Sequence, residues 1–240
     1  GVEALNEKSE AVYFRAGRAV VFGSGGFTHN PEMRLNYLRG PVYGGCAVLT
    51  NQGDLISMAS EVGAKLDNLA HAWWAQAVLE EVLANPSPPT DIFAVPGDSM
   101  IEVNKYGQRV MDEKAVYNER TQVHFIWDPL KGEYPNLFLF MIYDERAARI
   151  WGGGPLGTGY PIPSTGEQNP YVIKGGNLEE LTSALEARLN KLVSRTGNFH
   201  LDQSFLSNLK KTISRFNEYA GKGVDEEFHR GEVPIDLAYN

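Results

Sequence analysis

The stretch Gly17-Arg-Ala-Val-Val-Phe-Gly-Ser-Gly-Gly-Phe-Thr-His-Asn30 decides how this chain is read. Its apolar run Ala19–Phe22 has strand composition and enters the turn Gly23-Ser24-Gly25-Gly26. Asn30 is placed to cap a helix that begins at Pro31, since proline lacks the N–H that a first turn leaves unpaired. Ala19 to about Arg39 therefore reads as strand, glycine turn, short connection and helix. Upstream, Ala11-Val12-Tyr13-Phe14 is another β-rich run, and Arg15-Ala16-Gly17-Arg18 between the two suggests a hairpin. A glycine turn after a strand can bring backbone N–H groups close to a phosphate or a flavin. Thr28 stands where the third glycine of GxGxxG belongs, so spacing alone favours a plain tight turn.

Working outward, Asn51-Gln52-Gly53-Asp54 precedes Leu55, Met58, Ala59 and Val62, which share one helical face. Asp54 reads as the N-cap and Gly63 as the stop. A carboxylate there could also accept a ribose hydroxyl; the cap is the plainer reading. Asn85-Pro-Ser-Pro-Pro-Thr90 is the strongest punctuation, and a domain change is expected there, giving 1–90 and 91–240. Beyond it, Met100–Asn104 reads as a strand with the turn Lys105–Gln108 after it. Leu137–Tyr143 reads as a buried strand. The glycine- and proline-rich stretch from Trp151 to Pro170, with Pro155, Gly157 and Gly159 among its breakers, reads as a functional lid or a disordered loop. Two amphipathic helices close the chain. Asn177 caps the first, with Glu180 completing a capping box ahead of the stripe Leu178, Leu181, Leu185, Leu189 and Leu192. Asp202 is the expected cap of the second, Gly221 its stop, and Leu206, Leu209, Ile213, Phe216 and Ala220 its stripe.

The chain has 240 residues, 42% of them hydrophobic and 22% charged, which fits a globular protein. Its 22 basic and 30 acidic residues give a net charge of −8, against a general nucleic-acid binder or an anionic membrane surface. The longest clean apolar stretch, Leu137–Ile142, is far short of the ~20 residues of a membrane helix. Cys46 is the single cysteine, so no internal disulfide forms, and a reducing, cytoplasmic setting is expected. The absence of an initiator Met suggests a processed or excised segment. The five histidines show no HxxxH spacing, no GxSxG elbow is present, and no metal is expected. The densest polar stretch is Val103–Arg120. Within it, Tyr117 is either a half-buried packing residue or, beside a cleft and under the field of Arg109 or Arg120, a group that exchanges protons.

Gly17–Asn30, Thr50–Asp54, Val103–Glu113 and Arg215–Gly231 follow one another in an order that resembles the flavoprotein family of fumarate reductases, succinate dehydrogenase flavoprotein subunits and 3-ketosteroid 1-dehydrogenases. The resemblance covers nearly the whole chain. It implies an α+β (α/β) architecture in which part of a Rossmann-like FAD-binding domain joins a mixed α+β substrate-binding cap domain. The family's Ala-Thr-Gly-Gly strand end, which lies along FAD, matches Gly23, Ser24, Gly25 and Gly26. Its Thr-Gly-Asp-Gly turn matches Gly53 and Asp54, with Leu55 replacing the last glycine. Its Gly-x-Arg-Phe-x-Asn-Glu stretch matches Gly107–Glu113, with Val110 and Asp112 as departures, and implies substrate-binding roles for Arg109 and Glu113. Four residues on, the reductases carry a proton-delivering arginine and the ketosteroid dehydrogenases a tyrosine; here it is Tyr117. Ala75, Phe93 and Pro96 fall where the reductases place a histidine, a glutamate and an arginine.

Trp73 and Trp74 suggest an apolar, flat-walled pocket. The resemblance thus implies an FAD-dependent dehydrogenation next to a carbonyl, on a steroid-like or other apolar ketone or enone, with Tyr117 in proton removal. Reduction of a small unsaturated acid and a non-catalytic ligand-binding cap are the alternatives. The family's GxGxxG and its closing segment are not in this sequence, so a fragment is expected that needs further segments of its parent chain to hold FAD and turn over.

Overall fold

The computed structural model describes residues 1–88, 93–154 and 160–237. The expected boundary at 90/91 and the loop residues Pro155, Gly157 and Gly159 lie outside these. The chain is mixed, with small antiparallel sheets and helices of very different length.

The amino-terminal hairpin differs from expectation. β1 (Val2–Leu5) pairs with β2 (Ala11–Phe14), Val2 opposite Phe14. The turn is built by Asn6, whose Oδ1 accepts from the N–H groups of Lys8 at 2.9 Å and Glu10 at 3.0 Å. Such a local side-chain turn closes the hairpin without help from elsewhere. Ala19–Phe22 is not a strand: Val21 is 92% exposed, and no described strand lies beside the run to take its backbone hydrogen bonds. β-propensity needs a partner to become a strand.

Helix α1 (Pro31–Tyr37) starts as the sequence indicates, with Asn30 Oδ1 accepting from Met33 N at 3.0 Å. Helix α2 (Asp54–Glu61) is capped by Gly53 rather than by Asp54. Gly53 has φ +87°, a conformation open to glycine, and Asp54 is the first helical residue. There its charge complements the helix N-terminus without a capping hydrogen bond. Gly63 follows the helix with φ +73°.

The later part of the chain carries the core. A short helix α3 (Leu79–Ala84) leads to β3 (Ile101–Val103), fully buried, which pairs antiparallel with β4 (Phe140–Ile142). The expected strand 137–143 is thus shorter and only half-buried, because Leu137 closes a turn onto Tyr134 O at 3.1 Å. Between the strands lie α4 (Tyr117–Arg120) and a 3₁₀ turn, Thr121–Phe125. Asp144 caps α5 (Glu145–Trp151) by accepting from Ala147 N at 2.8 Å.

The described part of the following loop is packed. Ile162 is buried with Val95, Met100 and Ala147, and its carbonyl accepts from Gly153 N at 3.1 Å. Helix α6 (Leu178–Leu192) has the expected Asn177 cap, and Glu180 returns to Gly176 N at 2.9 Å. Helix α7 (Phe205–Lys222) begins three residues after Asp202, which instead closes a turn on Ser204. It runs through Gly221 to a left-handed Gly223. Leu185 of α6 and Leu209 of α7 bury against Ile101 and Val103, joined by Phe205. Ala220, expected in the stripe, is exposed; Phe205, outside it, is almost wholly buried.

Candidate active site

Two of the signature stretches meet. Asn51 Oδ1 accepts from Thr28 N at 2.9 Å, and Asn51 O accepts from His29 N at 3.0 Å. This holds the Gly23–Gly26 turn against the Gly53–Asp54 turn. Gly25 has φ +76°, and a Cβ there would lie 2.3 Å from Asn51 Nδ2. A Cβ on Gly53 would lie 2.3 Å from Met33 Sδ. Gly23, Ser24, Gly25, Gly26 and Asp54 are all exposed, and a Cβ on Gly23 would meet open space. An open glycine backbone beside a helix-start carboxylate fits a flat, extended cofactor with hydroxyl and phosphate groups. Asn51 escaped the sequence reading although it lies inside a quoted motif; an Asn next to a glycine turn is the signal for a side chain that braces backbone.

A second constellation surrounds Tyr117. Trp73 stacks on its ring, centroids 6.3 Å apart and planes within 10°, while remaining 82% exposed. Trp74 goes the other way: it is buried, its ring 4.6 Å from that of Phe125. One tryptophan therefore faces solvent and the other anchors. Trp74 N donates to Asn118 Oδ1 at 2.9 Å, which fixes the two tryptophans against α4.

Beneath α4 lies a buried polar cluster. Arg120 Nη1 donates to Glu113 O at 3.0 Å and faces Glu102 Oε1 at 3.7 Å. Gln76 Nε2 donates to Glu102 Oε2 at 2.8 Å and lies 3.1 Å from His124 Nε2. His124 Nδ1 is 3.1 Å from the carbonyl of Leu137, so Nδ1 carries the proton and Nε2 accepts. Burial pushes Glu102 up and His124 down, which favours the neutral form of each.

Arg109 and Glu113 are turned inward. Arg109 Nε and Nη2 donate to the two Glu113 oxygens at 2.7 and 2.8 Å, and Nη2 also donates to Asp225 at 2.8 Å. Their side chains are 1% and 0% exposed. Arg230 Nη1 adds a bond to Glu113 at 3.1 Å and one to Met100 O at 2.7 Å. The Arg109 guanidinium lies 5.0 and 4.9 Å from the rings of Phe216 and Phe228. Burial alone would lower Arg109, but its bonds to Glu113 and Asp225 outweigh it and hold the group above its ordinary range. Nearby, burial pushes Asp112 up to about 6 and Lys114 down to about 8. Asp225 and Arg230 fall within the 215–231 signature, so the sequence marked the segment without marking its partners. Among the described residues no cluster of His, Cys, Asp and Glu could hold a metal ion, and no helix is long and apolar enough to cross a membrane.

The chain belongs to the FAD binding domain family, which matches residues 1–238, so its cofactor is FAD. A 3-oxosteroid 1-dehydrogenase of Mycolicibacterium smegmatis is 31% identical, over 97% of this chain and 38% of its own length. A 4-oxocyclohexanecarboxylate 2-dehydrogenase of Sinomonas cyclohexanicum is 27% identical, over 92% of this chain and 35% of its own. The crystal structure of 3-ketosteroid delta1-dehydrogenase from Sterolibacterium denitrificans, in complex with 1,4-androstadiene-3,17-dione, shares the fold. Its TM-score is 0.73 at 22% identity, covering 99% of this chain and 42% of that one. The chain therefore spans about two-fifths of the length of these relatives.

Proposed function

We propose that this chain works within an FAD-dependent dehydrogenase that removes hydrogen from a C–C bond next to a carbonyl, on a steroid-like or other apolar ketone. The observation that carries this reading is the exposed Trp73 ring stacked on Tyr117. A flat apolar face beside a phenol suits a flat ketone, and the similarity to dehydrogenases of ring ketones supports the same class.

In this reading Gly23, Ser24, Gly25, Gly26, Gly53 and Asp54 hold FAD, with Asn51 as their brace. FAD, when bound, supplies the acceptor for hydride. Tyr117 Oη is the atom at which the proton from the carbon next to the carbonyl is moved. Trp73 orients the ring and keeps water from one face of it. Arg109 and Glu113 act by positioning: with Asp225 and Arg230 they lock the segment that presents Tyr117. Ala75, Phe93 and Pro96, which stand where the reductases place a histidine, a glutamate and an arginine, carry no group that could hold a dicarboxylate, and this favours a ketone over an unsaturated acid. The division into a Rossmann-like FAD-binding part, 1–90, and a cap, 91–240, belongs to the same reading, as does a cytoplasmic setting, supported by the single, exposed thiol of Cys46.

The test is turnover of the full-length, FAD-loaded enzyme on a 3-ketosteroid. Tyr117→Phe should lower kcat by about 10²–10⁴ with KM little changed. Unchanged turnover would remove Tyr117 from proton movement, and an enzyme that reduces fumarate while ignoring ketones would overturn the substrate class.

A further inference from the structure

Tyr117 stands at the start of a four-residue helix, and a helix that short has no stability of its own. Its backbone is held from the turn that follows. Thr121 Oγ1 donates to Tyr117 O at 2.6 Å, and Gln122 Nε2 donates to Asn118 O at 3.0 Å. Gln122 is held in turn by Arg39, whose Nη1 donates to its Oε1 at 3.1 Å. The phenol therefore stands on a fixed base.

Trp73 lies outside any helix or strand and is 82% exposed, so burial does little to fix it. The chain after it is anchored, because the Trp74 ring packs on Phe125 and Gln76 Nε2 donates to Glu102 Oε2 at 2.8 Å. The peptide group that joins the two tryptophans is held by Asn118: its N–H, on Trp74, donates to Asn118 Oδ1 at 2.9 Å. A peptide group is planar, so this bond sets the direction in which Trp73 leaves it. The Asn118 amide is itself oriented, since its Nδ2 donates to Glu119 Oε1 at 3.2 Å and Oδ1 is left to face the tryptophans. Asn118 follows Tyr117 directly and reaches a residue 44 positions earlier. One side chain thus places the exposed indole and the phenol in a single frame, with their planes within 10° of parallel.

We propose that Asn118 is a positioning residue that holds the face of Trp73 against the ring of Tyr117 and so presents flat wall and phenol to a ring ketone at one fixed angle. The proposal rests on the reading of Trp73 and Tyr117 as the place where the ketone lies. Asn118 acts through Trp73 and has no part in moving the proton, so its loss weakens binding and spares the chemical step.

The experiment compares variants of the full-length, FAD-loaded enzyme on a 3-ketosteroid. Asn118→Leu keeps the size of the side chain without its acceptor; it should raise KM about five-fold and change kcat by less than about two-fold. Asn118→Asp keeps the oxygen and should hold KM within about two-fold of the unaltered enzyme. Trp73→Ala should raise KM at least as much as Asn118→Leu, and the double variant should be no worse than Trp73→Ala, because a residue that acts through Trp73 has no effect once the indole is gone. Glu119→Ala removes only the partner of Asn118 Nδ2 and should leave KM nearly unchanged. Additive losses in the double variant would overturn the proposal. So would equal losses in Asn118→Leu and Glu119→Ala, which would mark a general loosening of α4, or equal losses in Asn118→Leu and Asn118→Asp. Fluorine NMR of enzyme labelled with 3-fluorotyrosine reads the stack without turnover, the Tyr117 signal being identified by its loss in Tyr117→Phe. Asn118→Leu should move that signal to the position it takes in Trp73→Ala, and an unmoved signal would overturn the proposal. If the unaltered enzyme turns over no ketone, the dehydrogenase reading fails, while the fluorine signal still decides whether Asn118 holds Trp73.

Discussion

The first seventy residues and the stretch from 93 to 237 have similar apolar content in sequence but different fates. In the first, Val21, Leu35 and Val62 are all more than four-fifths exposed, and little beyond Asn51, Gly53, Ile56 and Ala59 is buried. In the second, two apolar clusters close around β3, α6 and α7, and a network of Arg109, Glu113, Asp225 and Arg230 lies beneath them. The first region is organised by local hydrogen bonds and glycine conformations, the second by burial. Local turns need only their own few residues, whereas a core needs surfaces that meet.

The sharpest way to break the contrast is Glu113→Ala. It leaves Arg109 and Arg230 buried beside too few carboxylates, and should cost about 3–5 kcal/mol of stability in urea unfolding. Amide exchange in Asn6–Glu10 should not change, because that turn closes on its own side chains. Next comes Leu209→Ala, in the centre of the α6–α7 contact, with an expected loss of about 2–5 kcal/mol. Val21→Ala, the same kind of truncation in the exposed region, should stay within about 0.5 kcal/mol. If the two cost the same, the difference between the regions is not one of packing. A smaller effect is expected from Asn51→Ala. Loss of the Thr28 bond should cost about 1 kcal/mol and speed amide exchange at Thr28 without touching α7, while the His29 bond to the main-chain carbonyl of residue 51 stays.

Last comes a pH dependence confined to the second region. Asp112 is raised to about 6, so the folded state holds its proton more tightly than the unfolded chain, and stability falls as pH rises from about 4 to 6. Lys114 is lowered to about 8, so the unfolded chain binds the proton better, and stability recovers between about 8 and 10.5. Asp112 is only half-buried, so its limb should stay below about 1 kcal/mol, whereas the Lys114 ammonium is buried without a hydrogen-bond partner and its limb should be the larger of the two. Lys114→Met should flatten the alkaline limb in urea midpoints taken across pH, and retention of that limb would assign it to another group.

Much of the candidate site was legible because it is made of short-range signals. The glycines of 23–26, Gly53 and the segment 103–113 stand in the sequence as spacings. What was not legible is where side chains point. Trp73 and Trp74 look alike in sequence, and only the fold sends one over Tyr117 and the other onto Phe125. The resemblance implies substrate-binding roles for Arg109 and Glu113, and only the fold, which brings Asp225 from over a hundred residues later, shows them buried and paired. The Ala19–Phe22 run was misjudged for a related reason: a strand is a pairwise object, and propensity describes only one member.

The sequence by itself determined the caps at Asn30 and Asn177, the stop at Gly63, the two long amphipathic helices and the order of motifs that marks an FAD-binding chain. These depend on residues within a turn or two of each other, whose preferences act before any core exists. Tertiary structure alone decided the burial of Phe205 and the paired interior of Arg109 and Glu113. Each of those depends on which distant surfaces meet, and the desolvation that follows contact outweighs the few tenths of a kcal/mol that local preference supplies.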